Sequence, residues 1–139
     1  MTVKNGICAA FGVIGGAISA LLGGWSEDLT TLIILMSIDF IMGLIVAAVF
    51  KKSSKTADGA LDSRAGFLGL CKKCVMLLFV LIAHRLDMAI GVDYIRTVTI
   101  IGFIVNELIS VTENAGVMGI PLPAAVKNAI ELLRKKGEA

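Results

Sequence analysis

Residues 29–50 read LTTLIILMSIDFIMGLIVAAVF, and Asp39 is the only charged residue among them. The hydrocarbon core of a bilayer is about 30 Å thick, so a helix needs about 20 mostly apolar residues to cross it. The whole chain is 57% hydrophobic and 17% charged, whereas a soluble domain is usually about 45–50% apolar and about 25% charged. Residues 29–50 therefore predict a transmembrane helix in an integral membrane protein.

Three further apolar stretches approach the same length, at about residues 6–22, 74–92 and 95–111. The first also fits the plan of a signal peptide, with Lys4 before the apolar run and small residues at Ala17 and Ser19. Of the four stretches, those over residues 29–50 and 95–111 predict a transmembrane helix most clearly. The sequence predicts a single membrane domain over residues 1–139. Its fold class is all-α, with three to four transmembrane helices plus a short C-terminal amphipathic cytoplasmic helix.

Basic residues are concentrated in alternate connections between the predicted spans. Six Lys or Arg residues lie in the connection over residues 51–73, and four more follow the last span. The connection between the first two spans has none. Cytoplasmic loops carry the excess of Lys and Arg, so the loop over residues 51–73 and the carboxyl terminus should be cytoplasmic. Four spans with both termini inside satisfy this pattern. With three spans, the first stretch would lie on the inner surface or be re-entrant, or the amino terminus would be outside.

The carboxyl end predicts one more helix. Residues 119–123 read GIPLP and should interrupt the preceding helix. Residues 122–136 then place apolar side chains on one face and basic side chains mostly elsewhere, as in an amphipathic helix. Three placements fit this tail helix: on the anionic inner leaflet, against a partner, or against its own chain.

Small residues recur at every fourth position in two of the predicted spans. Such a stripe lets two helix backbones approach closely in lipid, where packing drives association. The stripe fits self-assembly and packing within one chain equally well. Its members are Gly12, Gly16, Ala20 and Gly24 in the first stretch, and Gly43 and Ala47 in the second.

Charged residues inside the predicted spans are the most informative feature. An ionised residue at the centre of a bilayer costs about 2.5–3.5 kcal/mol, so Asp39, Arg85 and Glu107 should be paired or face water. Asp39 and Arg85 fall at similar depths in neighbouring spans, which predicts an ion pair between them with His84 or Asp87 nearby. In the alternative, the third span ends early, and Arg85 and Asp87 extend outward to the interface.

Polar residues form a stripe on one face of the fourth predicted span. Such a stripe suits a water-filled lumen or hydrogen bonds between helices, and the sequence leaves both open. The members are Thr99, Gly102, Asn106, Ser110 and Glu113.

Little in the sequence points to catalysis or to cofactor binding. Cys71 and Cys74 have the CxxC spacing, but no second pair or suitably placed histidine accompanies them. No nucleophile motif supports a hydrolytic site. We therefore expect no catalytic residue, no metal, no cofactor and no nucleic-acid partner.

Several motifs taken together resemble the toxin-secretion and phage-lysis holin family of phages that infect Gram-positive bacteria. They cover most of the chain, from about residue 39 to residue 123. The motifs are Asp39-x-x-x-Gly43-x-x-x-Ala47, Ser63-x-x-Gly66, Lys72-Lys73, Asp87, Asn106-Glu107-x-x-Ser110-x-x-Glu113-Asn114 and Gly119-x-Pro121-x-Pro123.

The resemblance implies a function. Such holins form homo-oligomers in the bacterial cytoplasmic membrane and open lesions that release a muralytic enzyme or a toxin, without a cofactor. Two other functions remain open from the residues themselves. One is a small transporter or ion-channel subunit that uses the buried charges as a coupling site. The other is a membrane adaptor that does not permeabilise the bilayer.

Overall fold

The computed structural model describes residues 2–138, which form helices and no strand. Four of the helices are long and apolar enough to cross a membrane, so the predicted all-helical membrane fold is confirmed. The elements are α1 (Val3–Leu21), α2 (Glu27–Ile45) with a π-helical turn (Val46–Phe50), α3 (Ser63–Ile90), α4 (Ile95–Val117) and α5 (Ala124–Glu138).

Helix α2 begins where side chains satisfy its first backbone N–H groups. The Ser26 hydroxyl accepts a hydrogen bond from the Leu29 amide at 3.4 Å, and the Asp28 carboxylate accepts from the same amide at 2.9 Å. Glu27 and Asp28 also place negative charge at the positive end of the helix dipole. The helix ends in the π-helical turn, after which Lys51 adopts a left-handed conformation.

The turn between α3 and α4 is closed by Asp87. Its two carboxylate oxygens accept hydrogen bonds from the backbone amides of Ile95 and Arg96, both at 2.9 Å. Gly91 ends α3 in a left-handed conformation. Asp87 therefore caps the amino terminus of α4, which places the two helices side by side in opposite directions.

Helices α2, α3 and α4 share one apolar core, whereas α1 buries none of its residues. Large apolar side chains also cover the outside of all four long helices, as expected for surfaces that contact lipid tails. The buried core residues are Leu22, Leu29, Leu32, Met36, Val80, Ile100 and Ile104.

Arg96 connects the start of α4 to the turn between α1 and α2. Its guanidinium donates to the backbone carbonyls of Leu22 (2.5 Å) and Gly24 (2.8 Å), and to the Ser26 hydroxyl (3.3 Å). We call this end of the bundle, which holds the α1–α2 and α3–α4 turns, the hairpin end. The opposite end, which holds residues 51–62, is the loop end.

One prediction about the loop end needs correction. The predicted loop over residues 51–73 is too long, because α3 already begins at Ser63, where the Asp62 side chain accepts from the Arg64 amide at 3.1 Å. Of the three placements left open for the tail helix, the structure has the one on its own chain, where α5 packs on α4. A Cβ atom on Gly137 would lie 3.9 Å from Cγ2 of Ile101, so α5 runs back along α4.

The glycines of the small-residue stripes lie in open space. A Cβ atom added at Gly12, Gly16, Gly24 or Gly43 would meet no atom within 4 Å among the neighbours that residues 2–138 provide. Ala47 is buried. Packing within one chain therefore does not use these glycines, and their use in self-assembly stays a prediction.

Gly23 and Gly24 offer a matched test of the hairpin end. Both have a positive φ, 87° and 91°, so alanine is strained at either position. A Cβ at Gly23 would additionally lie 2.6 Å from Nδ1 of His84 and 2.9 Å from Nε of Arg96. We expect Gly24→Ala to lower the free energy of unfolding by about 1 kcal/mol, and Gly23→Ala to lower it by about 1–3 kcal/mol more. Unfolding by SDS in mixed micelles measures both, and equal losses would contradict the packing at Gly23.

Candidate functional site

Three charged side chains from three helices meet inside the bundle. The Lys73 ammonium of α3 donates to Oδ2 of Asp39 in α2 at 2.8 Å and to Oε2 of Glu107 in α4 at 2.5 Å. The side chains of Lys73, Asp39 and Glu107 are 15%, 6% and 3% exposed. We call these three residues the charge cluster.

Helical register explains why these residues meet. Asp39 and Glu107 each lie twelve residues after the start of their helices, which is about 18 Å along the axis at about 1.5 Å per residue. Lys73 lies seven residues before Val80, and Val80 lies seven residues before Asp87. Both of these are buried residues of α3. A spacing of seven is close to two helical turns, so Lys73 lies on the inward face of α3.

The charge cluster ties the three core helices together. Lipid offers no partner for an ionised group, and each such group costs about 2.5–3.5 kcal/mol at the bilayer centre. In the bundle, each carboxylate instead faces the ammonium directly. Asn114 adds a hydrogen bond from its side-chain amide to Oδ1 of Asp39 at 3.1 Å. The cluster still holds two carboxylates and one ammonium, so with all three groups ionised it carries one uncompensated negative charge.

The predicted ion pair between Asp39 and Arg85 is wrong. Asp39 pairs with Lys73, while Arg85 is exposed and its Nη1 lies 3.7 Å from the sulfur of Met88. His84 and Asp87 are not near Asp39 either, because His84 packs beside Gly23 and Asp87 caps α4 at the hairpin end. The alternative, in which Arg85 points outward, agrees with its exposure. Asp87, by contrast, is buried.

Lys73 is the residue that the sequence interpretation missed. The sequence prediction places Lys72 and Lys73 in the connection over residues 51–73, outside the third span. The seven-residue register of Lys73, Val80 and Asp87 was the available signal. The adjacent Lys72 does not share this register. It is exposed, whereas Lys73 is largely buried.

A cavity of about 200 Å³ connects the charge cluster to the loop end. Its walls come from α2, α3, α4 and the connection over residues 51–62. Asn106 and Ser110 of the predicted polar stripe line it. The rest of the stripe is elsewhere: the Thr99 hydroxyl donates to the Ile95 carbonyl at 2.7 Å, and Glu113 is exposed. The stripe is therefore divided, with only its middle facing the cavity.

A metal site has little support in the described chain. Within residues 2–138, no three His, Cys, Asp or Glu side chains are arranged to hold a metal ion. Cys71 and Cys74 are free thiols.

The relatives of this chain include bacterial and phage proteins. The chain is 37% identical over 128 residues to an uncharacterised protein of Halalkalibacterium halodurans, covering 88% of this chain and 89% of the relative. A second uncharacterised protein, from Listeria monocytogenes, is 35% identical over 132 residues, covering 92% and 89%. A protein named probable holin, from Bacillus phage phi105, is 28% identical over 120 residues, covering 86% and 83%.

No solved structure matches the chain at a significant level. The sequence profile of the bacteriophage holin family matches residues 16–135, which is most of the chain. On this match, the chain belongs to the bacteriophage holin family.

Proposed function

We propose that this protein forms homo-oligomers in the bacterial cytoplasmic membrane and opens lesions through which a muralytic enzyme or a toxin reaches the cell wall. Its family is a membrane pore-forming, non-enzymatic one, and the phage relative is named a probable holin. The four long apolar helices support a multi-pass protein of the cytoplasmic membrane.

The charge cluster is the observation that carries the proposal. In the closed bundle, the Lys73 ammonium pairs at short range with both the Asp39 and the Glu107 carboxylates. Placing each of these ionised groups alone at the bilayer centre costs about 2.5–3.5 kcal/mol, whereas water solvates them. Separating the helices in lipid alone would therefore raise the free energy by several kcal/mol. Separating them around a hydrated lumen would not, because water solvates the exposed charges. This difference favours two states, a closed bundle and a water-filled lesion.

The orientation follows from the lysines and arginines. The loop end holds Lys51, Lys52 and Lys55 and the start of α3, whereas α5 runs back along α4 and carries its last basic residues, Lys135 and Lys136, away from this end. The positive-inside rule places the loop end in the cytoplasm. In this orientation the cavity beside the charge cluster opens toward the cytoplasm, and the hairpin end faces the cell wall.

Inducible expression in a bacterium tests the function. We expect an abrupt loss of membrane potential after induction, and lysis only when a muralytic enzyme without a signal sequence is expressed with the protein. The enzyme alone and the membrane protein alone are the controls for lysis. An ion channel would depolarise the cells without releasing the enzyme. An adaptor would do neither, and either result would contradict the proposal.

A further inference from the structure

Helix α5 lies beside the middle of a membrane-spanning helix, although it is rich in charge. A Cβ atom on Gly137 would lie 3.9 Å from Cγ2 of Ile101 in α4, so these two residues are level with each other. At about 1.5 Å per residue, this contact lies about 9 Å from the start of α4 at Ile95 and about 24 Å from its end at Val117. The last turns of α5 are therefore level with the hydrocarbon core that α4 crosses.

The charged side chains of α5 point away from α4. Its half-buried positions are Ile130, Leu133 and Gly137, which recur at spacings of three and four, and Leu133 packs against the core. These positions form the face of α5 that contacts α4. The charged residues of the helix are all exposed, namely Lys127, Glu131, Arg134, Lys135, Lys136 and Glu138.

Four of these charged residues form a line along α5. Lys127, Glu131, Arg134 and Glu138 follow one another at spacings of four, three and four, and we call them the α5 stripe. Their signs alternate, and Nε of Arg134 donates to Oε1 of Glu138 at 3.3 Å. A helix face with charges of alternating sign is typical of a surface in water. The stripe has no net charge, so the stripes of several copies can surround one axis without accumulating charge of one sign.

Lipid does not suit the α5 stripe. Ionised groups within a bilayer pair, face the interior of the protein or line water, because contact with hydrocarbon is costly. The side chains of Arg134 and Glu138 are 56% and 66% exposed, so the bundle does not shield even this pair from its surroundings. With α5 docked on α4, water has to border the stripe.

The neighbouring surface of α4 is polar at the same depth. Asn106 lies eleven residues from either end of α4, and its side chain is exposed. Together with Gly102 it lines a shallow cavity between α4 and α5, to which Arg134 also contributes. Glu113 is exposed two helical turns further along α4. The surface that α4 and α5 share is therefore the polar side of the bundle.

The opposite surfaces of the bundle are apolar. Phe79 lies eleven residues before the end of α3 at Ile90, so it has the same depth as Asn106, and it is 52% exposed. Helix α1 likewise exposes Phe11 and Val13. These surfaces suit lipid tails, and the contrast between the two sides gives the bundle a direction in the membrane plane.

We propose that α5 faces the axis of the homo-oligomer, where the α5 stripes of several copies border the water of the lumen. This inference rests on the proposed function, because the lesion supplies the water. In this arrangement α5 starts at the loop end and returns along α4 inside the lumen, and the apolar outer faces of α1 and α3 contact lipid. The charged wall of the lumen then comes from the tail helix, so α1 and α3 keep their apolar faces out of water.

Labelling of single cysteines in proteoliposomes tests this placement. In a background with Cys8, Cys71 and Cys74 changed to serine, Glu131→Cys probes the α5 stripe and Phe79→Cys is the matched control. Position 131 lies about 9 Å nearer the loop end than position 137, which makes both probes level with the middle of α4. A charged methanethiosulfonate on both sides of the membrane should modify Glu131→Cys at least about ten times faster than Phe79→Cys, because only a hydrated thiol ionises. Equal rates would overturn the proposal.

A cross-link distinguishes docked α5 from α5 released into the cytoplasm. Ile101→Cys and Gly137→Cys place two thiols across the contact between α4 and α5, and copper phenanthroline joins them. In the joined protein, Glu131→Cys should react as fast as before. A bond that does not form, or that abolishes the fast reaction, would show that α5 is hydrated only after it leaves α4, and would overturn the proposal.

Ionic current shows whether the water beside α5 belongs to the lumen. In planar bilayers under a salt gradient, a positively charged reagent on Glu131→Cys should shift the reversal potential toward anion selectivity, and a negatively charged one toward cation selectivity. Neither reagent should affect Phe79→Cys. Modification of Glu131→Cys without any shift would overturn the proposal. Protein that carries no current would contradict the proposed function, whereas the labelling and the cross-link measure the placement of α5 without any current.

Discussion

Lys73→Met should lower the free energy of unfolding by about 3–5 kcal/mol, the typical cost of removing one partner from a buried ion pair. Methionine has a similar length and suits an apolar surrounding, so the loss arises mainly from charge. Without the ammonium, the Asp39 and Glu107 carboxylates face each other inside the bundle with no cation between them.

The neighbouring residue provides the control. Lys72 is exposed and lies in the same helix one residue earlier, so Lys72→Met should change the free energy of unfolding by less than about 0.5 kcal/mol. Titration with SDS in mixed micelles, followed by circular dichroism, compares the two variants. A similar effect of both substitutions would show that the ion pairs of Lys73 do not stabilise the bundle.

A second substitution separates charge from packing. Asp39→Asn combined with Lys73→Met removes the carboxylate that the ammonium neutralised, while the asparagine side chain can still accept the hydrogen bond from Asn114. The double variant should regain part of the stability that Lys73→Met loses, because only the Glu107 carboxylate is then left without a cation. If the double variant is as unstable as the single one, the loss comes from missing contacts of the lysine side chain and not from an unpaired charge.

The sequence predicted the helices better than the partners of the charges inside them. Long apolar runs identify α2 and α4 because the bilayer sets the length of a spanning helix. Asp39 and Glu107 stand out within those runs for the same reason. Lys73 did not, since hydropathy alone places a lysine at the edge of a span. The structure shows that α3 extends to Ser63 and carries Lys73 inward.

The error at Arg85 has a related cause. From the sequence, Asp39 was paired with a cation by comparing how deep each residue lies in its predicted span. Arg85 lies at about the same depth as Asp39. Depth does not specify the direction in which a side chain points around the helix axis. Seven-residue spacing from the buried residues Val80 and Asp87 selects Lys73 and not Arg85. Rotation about the helix axis, read from such spacings, therefore adds the information that depth lacks.

Lys73→Met should also make lesions open earlier, if the closed bundle and the hydrated lesion compete as proposed. The substitution destabilises the state in which Asp39 and Glu107 are buried, whereas water solvates them in the open state. A change of 1.4 kcal/mol per chain in the free energy of opening already changes the equilibrium constant between the closed and open states tenfold. We therefore expect the abrupt loss of membrane potential at no more than about a tenth of the wild-type amount of protein in the membrane.

Two variants make this result specific to the charge cluster. Lys72→Met should depolarise cells at the wild-type time, because its exposed side chain changes surroundings little between the two states. Glu107→Gln should also stay near the wild-type time, because glutamine keeps the shape of glutamate and an oxygen that can accept from Lys73, and it leaves the Asp39–Lys73 pair intact. Membrane potential is followed with a fluorescent dye, and the amount of protein by immunoblotting of isolated membranes. Equal times for Lys73→Met and Lys72→Met at equal amounts of protein would show that lesion opening does not involve the charge cluster.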